Sequence, residues 1–119
     1  MSDSKILTTG VLNRHIDTQS AHVELVNLDP NSSRTITVQV YNWNGSPTLL
    51  NQQTFNIPPN QSRTFNQNVA NTVHYEVRLI VKRDEDVVVN VFGTSPPNNQ
   101  TNQEGNTVLY SQLSEVELD

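Results

Sequence analysis

From Val73 to Phe92 the side chains follow a period of two that restricts the fold more than any other feature of the sequence. Val73, Tyr75, Val77, Leu79 and Val81 alternate with His74, Glu76, Arg78, Ile80 and Lys82. Beyond the charged run Arg83-Asp84-Glu85-Asp86, Val87, Val89 and Val91 alternate with Val88, Asn90 and Phe92. Such a period puts one set of side chains on each face of an extended chain, and β-branched residues suit that surface. The pattern predicts two strands joined as a β-hairpin, with the charged turn in water and one face buried.

The rest of the chain repeats the theme at about ten-residue spacing. Ala21 to Leu28 alternates Val23 and Leu25 with His22 and Glu24, and Asp29-Pro30-Asn31-Ser32-Ser33 ends it as a turn. In Thr35 to Trp43, Ile36, Val38 and Val40 face one way while Thr37, Gln39 and Tyr41 face the other. Asn44-Gly45 is a favoured hairpin pair. A strand follows from Leu49 to Ile57, with Leu49, Phe55 and Ile57 on one parity, and a weaker one runs around Phe65 from Arg63 to Val69. Thr94 to Asn106 reads as a polar loop around Pro96-Pro97, and Val108 to Leu118 as a closing strand whose Leu109, Leu113 and Val116 also fit helical spacing. Seven or eight strands of this kind predict a single all-β antiparallel β-sandwich. Periodicity leaves the jelly-roll and immunoglobulin-like orders both open.

Composition narrows the partners. Leu, Ile, Val and Phe make up about 28% of the chain, enough for a packed core, while Asn and Gln supply about a fifth. Only 16% is charged and the net charge is −5, with basic residues scattered singly apart from Lys82-Arg83. Nucleic acids and anionic membranes demand clustered Lys and Arg, so neither is expected as a partner. The N-terminus shows no apolar stretch of the length a signal peptide needs. A weakly charged amide-rich surface suits contact between copies of one chain.

Catalytic and metal chemistry finds no foothold. There is no cysteine, and His15, His22 and His74 form no His-x-His or Asp-x-His pair. Asp84-Glu85-Asp86 lacks the alternating spacing of a calcium loop. Gly-x-Ser-x-Gly is absent, and four glycines in all make no phosphate cradle. No enzyme activity, metal or cofactor is expected. Tyr41 and Trp43 share a parity opposite the apolar residues of their strand, which makes them a ligand or subunit contact, and a carbohydrate platform if their faces are free. Tyr75 after Asn71-Thr72 stands where a sandwich would carry a tyrosine corner.

The termini carry apolar segments set off by polar connections. Ile6 to Leu12 precedes one such connection and is interrupted by Gly10, and Val108 to Leu118 follows the polar loop. Each segment pairs within its own fold or crosses to another copy, where strand addition gains main-chain hydrogen bonds. A head-to-tail contact of that sort grows a fibre when it does not close.

Thr9-Gly10-Val11-Leu12-Asn13-Arg14, Val73 to Val77 and Asn90-Val91-Phe92-Gly93 resemble segments of small Asn-rich β proteins of spore-forming Bacillus relatives, in particular the endospore appendage (Ena) pilins. The resemblance implies a jelly-roll subunit stacked into a stable fibre on the spore surface. Residues 1–13 would be an N-terminal connector or donor strand ahead of a sandwich over 14–119. Ile6, Leu7, Val11 and Leu12 would then be the subunit contacts, each contributing roughly 1.5–3 kcal/mol before ordering costs. Better-known members cross-link through connector cysteines; this chain has none, which implies a type held by strand addition and packing. The resemblance further implies other copies of the chain and a spore-surface anchor as partners, and release to the spore surface without a signal peptide. The alternative is a non-catalytic binding module, for carbohydrate, built on Tyr41 and Trp43.

Overall fold

The structure is a computed structural model and describes residues 4–82, 86–95 and 101–118. Among these residues ten strands run in chain order: β1 Ser4–Thr8, β2 Leu12–Asn13, β3 Ser20–Asn27, β4 Arg34–Trp43, β5 Pro47–Ile57, β6 Gln61–Asn68, β7 His74–Lys82, β8 Val87–Ser95, β9 Thr101–Val108 and β10 Ser114–Val116. They form two packed antiparallel sheets, as the alternation predicts. One has the order β10-β1-β7-β4-β5, with β2 also on β7; the other has the order β6-β3-β8-β9.

The core is the set of inward parities. Val23 and Leu25 of β3, Ile36, Val38 and Val40 of β4, Val77 and Leu79 of β7, and Val89 and Val91 of β8 are all fully buried. Each contributes about 1.5–3 kcal/mol of apolar burial. Polar anchors fix the connections. The Asn27 amide donates to the carbonyls of Ser32, Ile57 and Pro58, tying two turns at one end of the sandwich. At the other end, Asn106 Oδ1 accepts from the His15 N–H at 2.7 Å and from Thr18 Oγ1 at 2.8 Å, and its amide donates to the Asn13 carbonyl.

The expected hairpin across Val73 to Phe92 is not there. β7 lies between β1 and β4 in one sheet, whereas β8 lies between β3 and β9 in the other. Alternation reports that one face of a strand is buried, and it reads the same for two strands facing each other across a core as for two neighbours in a sheet. Residues 83–85, most of the charged run, fall outside the described residues. The hairpins present are β4–β5, turning at Asn44-Gly45-Ser46 with Gly45 at φ +81°, and β8–β9.

Three further expectations change. Part of the polar segment from Thr94 to Asn106 is strand, since β8 runs on to Ser95 and β9 begins at Thr101. An edge strand holds itself by main-chain bonds and needs no apolar period. The closing segment is the end of β9, a 3-10 turn over Tyr110–Gln112 and the short β10, not one strand. Tyr75 is a core residue but makes no tyrosine corner: its hydroxyl is buried with no hydrogen-bond partner among the described residues. Burial pushes that phenol well above its ordinary pKa, against a smaller opposing pull from the Arg14 charge.

Candidate functional site

The outer face of the β10-β1-β7-β4-β5 sheet carries the most organised chemistry of the molecule. Residues directly opposed in an antiparallel sheet share a face. The register opposes His74, Trp43 and Pro47 in one row, Glu76, Tyr41 and Leu49 in the next, and Thr8, Arg78, Gln39 and Gln52 in a third. Leu49 joins that face because β5 slips by one residue opposite Val40 and Tyr41, leaving Leu50 as the extra residue of a β-bulge. The expected common parity of Leu49 with Phe55 and Ile57 is broken at that point.

Glu76 stands at the centre. It points away from the core yet is only 5% exposed, so its charge must be met by neighbours. Three donors converge on its carboxylate: Thr8 Oγ1 at 2.5 Å, Trp43 Nε1 at 2.8 Å and Arg78 Nε at 2.9 Å. Burial alone would raise the Glu76 pKa, but the bonds from Arg78, Thr8 and Trp43 and the Arg78 charge outweigh it and hold the carboxyl below its ordinary value. The Arg78 guanidinium lies 4.2 Å from the Tyr41 ring centroid, a cation–π contact. Tyr41 Oη donates to Gln39, whose amide donates to Gln52 at 2.7 Å. One network thus spans β1, β7, β4 and β5.

Tyr41 and Trp43 do share the outer face, as their parity requires, and both are half-buried. One face of Tyr41 is covered by Arg78, so the pair is not a bare aromatic platform. The four expected connector residues divide. Leu7 is in the core at 6% exposure, Ile6 and Leu12 are half-buried, and Val11 is 50% exposed. β1 pairs on both sides, with β7 and β10, and β2 continues along the same edge of β7 after a kink at Gly10, φ +70°. Thr8 and Thr9 stitch that kink: the Gly10 N–H donates to Thr8 Oγ1, and the Val77 N–H donates to Thr9 Oγ1. Within one copy, then, residues 4–13 belong to the sandwich.

Sheet edges form a second feature that sequence reading did not single out. Among the described residues β5 pairs with β4 on one side and with no strand on the other. Eight consecutive residues from its start, Pro47 to Thr54, are exposed, including Leu49 and Leu50. From Thr35 to Ser62 there is no Asp, Glu, Lys, Arg or His, so the edge lacks the charges that usually blunt a bare strand.

Elsewhere the polar groups are structural. An open cavity of about 550 Å³ at one end of the sandwich is lined by Arg14, Ile16, Asp17, Thr18, Ser95 and Gln103. Its Arg14 guanidinium is bound to the carbonyls of Thr72, His15, Ile16 and Thr18. His22 pairs with Asn66 at 2.7 Å, while His15 and His74 are exposed. Among the described residues no group of three His, Asp or Glu side chains is placed to hold a metal.

Fold and site define an all-β sandwich with a networked outer sheet face and an uncharged open edge. In comparisons with protein families, curated proteins and solved structures, no family model, protein or structure matched this chain.

Proposed function

We propose that this chain is a non-catalytic structural subunit that joins copies of itself, by β-strand addition and packing, into a fibre of the endospore-appendage type. The observation that carries the reading is the β5 edge: eleven residues long, uncharged, and paired on one side only among the described residues. Soluble proteins usually protect such an edge with Lys, Pro or a covering loop, because it offers main-chain donors and acceptors to any other strand. Here Pro47, at its start, and the bulge at Leu50 are devices of that kind, and beyond them the strand runs uncharged from Asn51 to Ile57.

Connections from β3 to β4, β5 to β6, β6 to β7 and β7 to β8 each cross between the sheets, a winding that fits the jelly-roll form. The N-terminal connector takes a modified role in this reading. β1 already fills a place between β7 and β10, so its donation to a neighbour is an exchange of identical contacts, at little cost in enthalpy. The spore surface, with an anchor protein there, is the proposed location.

Charging the edge tests the reading. Asn51→Lys with Gln53→Lys alters two exposed β5 side chains, so the monomer should keep its fold by circular dichroism. Sedimentation should move from high-mass species to monomer. Undiminished assembly of the folded double variant would remove β5 from the contact.

A further inference from the structure

The patch around Trp43 has a geometry that assembly does not require. His74, Trp43 and Pro47 form one row and Tyr41 with Leu49 the next, and the bulge at Leu50 is what brings Leu49 into line. β-bulges commonly re-aim side chains beside binding sites. Trp43 is fixed at its edge by the Glu76 bond, and Tyr41 is held by Arg78. Side chains held in place beforehand lose little freedom when a ligand arrives.

From this arrangement the geometry points to a binding site for a neutral oligosaccharide, with Trp43 as the stacking surface, Pro47 and Leu49 as its apolar rim, His74 beside it and Gln52 two rows further along the same face for sugar hydroxyls. The inference does not rest on fibre assembly.

Two observations select that ligand class. Glu76 and Arg78 neutralise each other, and β4 beyond Arg34 together with all of β5 carries no charge, so nothing in the patch attracts an anionic or cationic chain. A proline-rich peptide would also suit an aromatic sheet face, but it takes a hydrogen bond from an indole N–H, and this one is spent on Glu76. Stacking on a pyranose ring needs only the indole face. Gln52 accepts through Oε1 from Gln39, leaving its amide group as a donor towards solvent.

Trp43 is the one tryptophan in the sequence, so its emission reports on this patch alone. The full chain, in whatever assembled form it purifies, is titrated with cellohexaose, xylohexaose, maltohexaose, mannohexaose and chitohexaose. At least one should give a saturable change in emission. Trp43→Ala, followed by calorimetry, should weaken that binding about tenfold or more, equivalent to ~1.4 kcal/mol. Because Trp43→Ala also strips a bond from Glu76, His74→Ala provides a second variant, at an exposed residue beside Trp43 that lies off the β5 edge and makes no bond to Glu76, and it should weaken the emission response as well. The proposal is overturned if none of the five sugars gives a saturable response. It is overturned equally if an acidic oligosaccharide such as hexagalacturonate binds more tightly than all five. Emission that shifts with protein concentration alone, and stops shifting in Leu49→Glu, would overturn it by assigning the face to contact between copies.

Discussion

The indole Nε1 of Trp43 donates to Oε1 of Glu76 at 2.8 Å, across neighbouring strands and on the face turned away from the core. The bond is one of three that allow a nearly inaccessible carboxylate to stay ionised, and it couples the aromatic patch to β1 through Thr8. Glu76→Gln keeps the shape but removes the charge that Arg78 faces. It should lower unfolding free energy by about 1–3 kcal/mol in urea, with a red shift of Trp43 emission. Unchanged stability would mean that solvent already serves the three donors.

Acid should destabilise the fold in a defined window. Asp29 is held below its ordinary pKa chiefly by the Asn31 N–H, with the Ser32 N–H and Arg34 adding to it against some desolvation. Glu76 is depressed as described above. A carboxyl with a lower pKa folded than unfolded binds fewer protons in the native state, so it stabilises above the unfolded value and loses that contribution as pH falls through the folded one. Tm should be flat from about pH 7 to 5 and fall below about pH 4. In Glu76→Gln the fall should be shallower; an identical fall would assign the acid sensitivity to other groups.

Gly93 permits a close approach rather than a special turn. A Cβ there would lie 2.4 Å from Asn106 Cβ and 3.0 Å from Thr18 Oγ1. Gly93→Ala must push Asn106 away, loosening the knot that binds the loop after β2 to β9, and should cost about 1–3 kcal/mol by thermal unfolding. A wild-type Tm would show that β9 shifts freely.

Tyr75→Phe runs the other way. Its hydroxyl is buried without a partner among the described residues, and removing such a group relieves a desolvation cost. Stability should rise by about 1 kcal/mol or more. A loss would reveal a partner for the hydroxyl, a bound water for instance.

Much of the fold could be read from alternation, because burying one face of a strand writes itself into the side chains. Val38, Val77 and Val89 are all inward, as their parities require. Which strand stands beside which was not readable: β7 and β8 carry matching patterns for opposite sheets. β9 was hidden because an Asn- and Gln-rich edge strand has no apolar face to display. The site was half visible. Tyr41 and Trp43 showed their common face, but Glu76 lies far away in sequence on an outward parity that gives no hint of burial. Only the register of β4 on β7 brings it to Trp43. The exposed β5 edge was equally hidden, since its partners depend on strand order.

Negative-stain electron microscopy of the purified 119-residue chain is the measurement to make first. Self-assembly through open edges should appear as thin regular filaments, and the Asn51→Lys, Gln53→Lys variant should lack them. A field of uniform small particles from the unaltered chain would contradict the assembly reading and leave a monomeric sandwich whose chemistry centres on Trp43.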